Sequence, residues 1–355
     1  MTASPPGPRK RQPRSVHIAS GVRRLTLALP YLPGHVHCYL LADSDGWIAV
    51  DTGCGNASGR TAWTDELTER GPLRTVFLTH FHHDHAGGAR YLSELTAAPV
   101  TRSAIDFREA HNQWLKFAPA NEVRRWLGRH GVPKETSDCA RQFMRRHIVS
   151  EPPGNPVHVG ADDHIGDWEA LPAPGHTDGQ LLLLRDGMLL SADHLLNRPD
   201  IPMWPNRNGD PVGAWLASLR EISRRDIQIA LPSHGAPVAR PAAFARQLAD
   251  EEEARLRMLA DRLRPQPQTA YDLIEAGRRS DAGLPCETNH VKRVLALAHA
   301  LARLERLVML GVAVRYDDEE LVMYGRAWAH RLSNMSETRR RKSRPSSNRR
   351  AERPC

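Results

Sequence analysis

Thr79-His80-Phe81-His82-His83-Asp84-His85 sets four potential metal ligands within six residues, directly after the apolar, strand-like run Thr75-Val76-Phe77-Leu78. On a loop, His80 and His82 can point to one side and converge on one ion. Asp84 and His85, one turn further on, can face a second. Imidazole and carboxylate together suit zinc, and also iron or manganese. The alternative, a merely solvated His-rich loop, is outweighed by the density of ligands.

Three further residues stand just past apolar runs, where loops gather at the edge of a sheet. His176 sits in Ala173-Pro174-Gly175-His176-Thr177, Asp193 in Leu190-Ser191-Ala192-Asp193-His194, and His234 in Leu231-Pro232-Ser233-His234-Gly235. Each alone is more often structural than a ligand. Beside the His-rich loop the weighing reverses.

Outward from these motifs, residues 22–52 read as a β-meander with a turn at Asp43-Ser44-Asp45-Gly46. A helix is expected over 57–70 and a short one over 89–95. Strands are expected at 157–159, 168–171, 181–184, 188–191 and 229–231, and helices at about 211–224 and 241–263. Strands and helices that intermix, with motifs at strand ends, predict α/β layering with the site at the sheet edge. Residues 103–150 differ in texture. They are rich in Arg, His and Trp at helical spacing, and read as a helical insertion. After Pro265-Gln266-Pro267 come helices over 269–277 and 289–310, then a hairpin with strands 312–316 and 321–324, the order of a small winged-helix module.

The order His-x-His-x-Asp-His, Gly-His-Thr, Asp, His-Gly, with Asp51-Thr52-Gly53 upstream, resembles the metallo-β-lactamase superfamily over about residues 22–263. The resemblance implies an α/β fold, a four-layer αβ/βα sandwich with a binuclear site between two sheets. It divides the chain into a hydrolase domain over 15–263, carrying the insertion 103–150, and a winged-helix-like domain over 264–330. It implies that His80, His82 and His176 hold a first metal, that Asp84, His85 and His234 hold a second, and that Asp193 bridges them. Two zinc ions are the expected cofactors, with iron or manganese as alternatives. Three neutral imidazoles leave the first ion's charge largely uncompensated. A shared water then ionises near neutral pH, and the resulting hydroxide attacks a carbonyl carbon or a phosphorus. Asp84 would ligate and orient it. Asp51 is a candidate partner for a ligand imidazole, fixing its tautomer; its other reading is a cap on the turn at Gly53.

Other residues carry less. His83 is the non-ligand position of the motif, and His194 reads as packing. The roles of His35 and His37 stay open. Trp204, and Trp114, Phe117 and Trp126 of the insertion, could line a pocket at the metal mouth or simply anchor their segments.

Composition bounds the function. The formal charge is +8, but residues 1–14 contribute +4 and residues 337–355 contribute +6, which leaves −2 for the body. The basic character therefore belongs to the tails, 1–14 and 335–355, which read as disordered. Nucleic-acid binders usually carry clustered Lys and Arg on the fold itself. That disfavours the alternative of a phosphodiesterase or endoribonuclease acting on single-stranded RNA, and favours a small ester, thioester or lactone as substrate. A DNA-binding regulator is disfavoured too, because residues 289–310 offer few basic residues. The module is more simply a packing or homodimerisation element. Five cysteines in no CxxC spacing argue against a disulfide framework and against a thiolate zinc site. With no apolar signal core and no membrane-length apolar run, a cytoplasmic location is expected.

Overall fold

The computed structural model describes residues 15–117, 120–147, 156–197, 201, 203, 209–276 and 286–327, excluding the side chains of 111–117, 120–123, 143–147 and 286–291. The expectations for the two tails, for Trp204 and for the side chains of Trp114 and Phe117 lie outside these residues.

In chain order the first sheet is built from β1 (Val16–Ala19), β2 (Val22–Ala28), β3 (His35–Asp43) and β4 (Gly46–Val50). Helix α1 (Ala57–Arg70), β5 (Leu73–Phe77), α2 (His83–Ala86), α3 (Ala89–Thr96) and β6 (Val100–Ser103) follow. Then come α4 (Ala104–Phe117), α5 (Ala120–Arg129), α6 (Lys134–His147) and β7 (Val157–Val159). The second sheet uses β8 (His164–Ile165), β9 (Trp168–Pro172), β10 (Leu181–Arg185) and β11 (Met188–Ala192), then α7 (Pro211–Ile222), β12 (Ile229–Pro232) and α8 (Pro241–Arg262). The chain continues with β13 (Gln268–Thr269), α9 (Ala270–Glu275), α10 (Cys286–Met309), β14 (Ala313–Asp317) and β15 (Val322–Arg326).

Sheet one runs β1-β2-β3-β4-β5-β6-β7, antiparallel through β4 and parallel from β4 to β7. Sheet two runs β12-β11-β10-β9-β8, antiparallel apart from the parallel β11–β12 pair. Strand side chains alternate between faces, and here both faces are apolar. In β3, Tyr39 and Leu41 join Ile48, Val50 and Phe77 in the layer between the sheets, while Val36, Cys38 and Leu40 face outward under Trp63 of α1 and Leu92 of α3. In β10, Leu181 and Leu183 enter the inter-sheet layer and Leu182 faces Trp215 and Leu219 of α7. Helices therefore cover both outer faces, and continuous apolar strands are the sequence signature of burial on two sides.

The third sheet, β13-β15-β14, belongs to the C-terminal unit. Its long helix α10 packs against α6, α7, α8 and α9, and one continuous core joins Leu127 and Val132 of the insertion to Leu297, Leu301 and Tyr324. Trp126 packs against this core and sets its ring 4.9 Å from that of His130. It anchors the insertion to the C-terminal unit. Arg129 pairs with Asp317 across the same junction.

Candidate metal centre

Every predicted ligand leaves a strand at the same end of the sandwich. His80 and His82 follow β5, Asp84 and His85 lie in α2, His176 follows β9, Asp193 follows β11 and His234 follows β12. The loops are tied to one another through the backbone. Leu181 N–H donates to the Thr79 carbonyl at 3.0 Å, Thr52 N–H to that of His85 at 2.8 Å, and Ser233 N–H to that of Ala192 at 3.0 Å. Five of the seven are buried: His80 and His85 are 0 % exposed, His176 4 %, His234 5 % and Asp193 6 %, while His82 and Asp84 are half-buried.

Three trios place their ligand atoms within 4.8 Å of one another: His80, His82 and His176; Asp84, His85 and His234; and His80, His85 and Asp193. His80 Nε2 and His82 Nδ1 are 3.0 Å apart. That spacing suits two nitrogens on one tetrahedral ion with bonds of about 2.0–2.1 Å. Asp193 stands between the groups. Its Oδ2 is 3.5 Å from His176 Nε2, and its Oδ1 is 3.5 Å from His85 Nε2 and 3.4 Å from His234 Nε2. Asp84 Oδ2 lies 3.3 Å from His234 Nε2 and 3.8 Å from His85 Nε2. Buried polar atoms are normally hydrogen-bonded, yet His85 Nε2 and Asp193 Oδ1 have no hydrogen-bond partner.

The far nitrogen of three rings is fixed. Asp51 accepts from Thr79 N–H at 2.9 Å on Oδ1, and from the Thr79 hydroxyl at 2.9 Å and His85 Nδ1–H at 2.8 Å on Oδ2. With its one hydrogen committed to Asp51, Thr79 Oγ1 accepts from His80 Nδ1–H at 3.0 Å. His234 Nδ1–H donates to the His35 carbonyl at 2.8 Å. With one proton held on Nδ1, each ring turns Nε2 toward the centre, the nitrogen whose lone pair a metal needs.

Electrostatics favour added positive charge. Burial opposes protonation of His85 and His234, but Asp193 and Asp84 outweigh it; His85 is raised well above its ordinary value and His234 to about 10. Burial likewise opposes ionisation of Asp84 and Asp193, yet His85 and His234 hold both carboxylates below their usual range. His80 is pushed well down by burial and by the imidazoles of His85, His82 and His176, so it is neutral. Neutral imidazoles beside two carboxylates form a donor set suited to divalent cations, whose binding displaces the protons.

The surrounding residues have separate work. His194 is fully buried, lowered to about 3 by burial and by His176, and packs against Trp215 at 6.4 Å. His37 accepts from Thr26 and donates from Nε2 to the Gly235 carbonyl at 3.0 Å, pinning the His234 loop. Sequence reading missed Thr79, the His35 carbonyl and Asp106. Thr79 was recoverable from its place beside His80 and after Asp51. The other two carry no local motif.

Imidazole and carboxylate trios at the edge of a two-sheet sandwich form a donor cluster that suits a divalent metal. The profile described as "Metallo-beta-lactamase superfamily" matches residues 31–234. The chain belongs to that superfamily and is a metal-dependent hydrolase. It is 24 % identical to the probable metallo-hydrolase YqjP of Bacillus subtilis over 264 residues, 69 % of this chain and 81 % of that one. It is 26 % identical to the hydroxyacylglutathione hydrolase of Halorhodospira halophila over 159 residues, 45 % of this chain and 46 % of that protein, less than half the length of each. The crystal structure of a beta-lactamase domain protein from Burkholderia ambifaria superposes with a TM-score of 0.76 at 26 % identity, covering 88 % of this chain and 94 % of that one.

Proposed function

We propose that the chain hydrolyses a small ester, thioester or lactone at a centre of two divalent ions, zinc by preference with iron or manganese as alternatives. His80, His82 and His176 would hold the first, Asp84, His85 and His234 the second, with Asp193 shared between them. The observation that carries this reading is the Asp193 carboxylate, with one oxygen toward each trio and its buried Oδ1 without a hydrogen-bond partner. Divalent ions, once held by these residues, would supply an activated water near neutral pH and charge stabilisation for a developing oxyanion. Five neutral imidazoles and two carboxylates leave such a pair with net positive charge. Asp84, held ionised by His85 and His234 and 17 % exposed at its side chain, would accept a hydrogen bond from the attacking water and orient it. Asp51 fixes the proton on His85 directly and that on His80 through Thr79.

A small carbonyl substrate is supported by the similarity to a hydroxyacylglutathione hydrolase and by the ion pairing of the fold. We read residues 264–330 as a winged-helix-like module that packs rather than binds nucleic acid. On α10, Arg303 is paired with Glu252 and Arg306 with Asp210, while Leu297, Leu301 and Leu304 are buried. No helix among the described residues is long and apolar enough to cross a membrane, and Cys38, Cys54 and Cys139 are free thiols, in keeping with a cytoplasmic site of action.

The test is a panel of thioesters, lactones, a phosphodiester reporter and single-stranded RNA offered to zinc-loaded protein. Ester-type turnover that Asp84→Ala lowers by at least about 100-fold, within the range ascribed to acid–base groups, supports the reading. Turnover of RNA alone, lost in the same variant, replaces it with the nuclease.

A further inference from the structure

Helix α4 opens the insertion, and its first two turns touch both loops that carry the first trio. Asp106 is fully buried and divides its oxygens between two tasks. Oδ2 takes the guanidinium of Arg102, itself 1 % exposed, with Nε at 3.0 Å and Nη2 closer still. Oδ1 accepts the backbone N–H of Phe81, the residue between His80 and His82, at 2.8 Å. One turn on, Glu109 Oε2 accepts the backbone N–H of Asp178, two residues after His176, at 2.9 Å. Between these contacts Gly179 lies flat on the helix. A Cβ there would stand 2.6 Å from Asp106 Cα and 2.7 Å from its Cβ, so the loop following His176 touches Asp106 directly.

A buried Arg–Asp pair serving stability alone needs only the guanidinium contact. Here the second oxygen goes to a peptide flanked by two ligand candidates, and the neighbouring turn holds the loop of the third. We propose that Asp106 is a positioning residue for the His80, His82 and His176 trio, setting the angle at which the 80–82 loop meets the His176 loop and hence the affinity of the first metal. The second trio is held by other residues: His37 pins the His234 loop at Gly235, and Asp51 and the His35 carbonyl hold the far nitrogens of His85 and His234. The inference rests on the proposal that the first trio binds a metal.

Two double variants in the full chain separate positioning from stability. Both replace Arg102 by Met, so no unpaired buried charge is left. In Arg102→Met with Asp106→Asn, the amide oxygen still accepts from Phe81 N–H and nothing competes for it. In Arg102→Met with Asp106→Leu, that acceptor is gone. Zinc uptake is followed by competition with a chromophoric chelator, alongside the absorption spectrum of the cobalt(II) form and the thermal midpoint. The expected result is about a 10–100-fold weaker first equivalent in the Leu variant, the usual effect of losing an outer partner of a ligand. The second equivalent should hold, the cobalt spectrum should change, and the Asn variant should restore both. A Leu variant that binds both equivalents like the parent overturns the inference. So does one in which both equivalents weaken together and the Asn variant does no better. A parent chain that takes up no divalent ion fails earlier, at the metal reading itself.

Discussion

Asp51→Asn replaces one atom and should displace two protons. Oδ1, which accepts Thr79 N–H, remains an oxygen. The position of Oδ2, which now accepts from the Thr79 hydroxyl and from His85 Nδ1–H, becomes an NH2 group. That group can only donate. His85 Nδ1 must then accept, and its ring proton moves to Nε2, the atom facing Asp193 and Asp84 at 3.5 and 3.8 Å. The Thr79 hydroxyl receives the second amide hydrogen and turns its own toward His80 Nδ1, 3.0 Å away, which sends the His80 proton to Nε2 as well. A protonated Nε2 has no lone pair for a metal. Losing an outer partner of one ligand costs about 10–100-fold in metal affinity, roughly 1.4–2.7 kcal/mol. Because one ring belongs to each trio, both ions should weaken by that order. The fold should survive, since Asp51 sits at φ +58°, a conformation asparagine tolerates. Chelator competition near neutral pH measures the two affinities, and circular dichroism checks the fold. A folded Asp51→Asn protein that binds both equivalents with the parent's affinity would refute the account of how ring protons are placed.

Three shorter predictions follow from the same structure. Chelation should abolish hydrolysis and lower the melting temperature, because an ion at 100 times its Kd adds about 2.7 kcal/mol to stability; an unchanged melting curve after exhaustive dialysis against chelator argues against a structural role for the ions. His130, away from the metal centre, is lowered to about 4 by burial and by Arg315 and Arg129. It is neutral when folded and protonated when unfolded between about pH 6.5 and 4, so its share of stability, up to about 3 kcal/mol, is present above 6.5 and lost as pH falls; His130→Leu should show a shallower acid decline in thermal midpoint, and an identical slope counts against it. Gly175 has φ +135°, and a Cβ there would lie 2.8 Å from Trp215 Cα; Gly175→Ala should displace His176 and cost zinc stoichiometry as well as stability, and a variant with two tightly bound ions would contradict this.

Much of the centre was legible in the chain because metal ligation is written in side-chain types at short spacing. His80, His82, Asp84 and His85 declare themselves within six residues, and the runs that deliver His176, Asp193 and His234 are apolar on both faces, as strands buried in a sandwich must be. The short elements escaped: β8 and β13 have two residues each, too few for periodicity, and α2 lies inside the ligand motif itself. The insertion was recognisable as helical, but not that Trp126 would turn to the C-terminal unit while Asp106 and Glu109 turn to the metal loops.

By itself, then, the sequence determined which groups could ligate, that they stand at strand ends, and that the layers are helix and sheet, since these follow from residue chemistry and a period of two or 3.6. Only the tertiary structure decided which carboxylate oxygen faces which trio, which ring nitrogen keeps its proton, and which buried acid braces the 80–82 loop. Those outcomes depend on contacts between residues 25 to 199 apart in the chain, such as Phe81 with Asp106 and His35 with His234. No local pattern encodes a distance across the fold; it is fixed only when two sheets and their helices have packed.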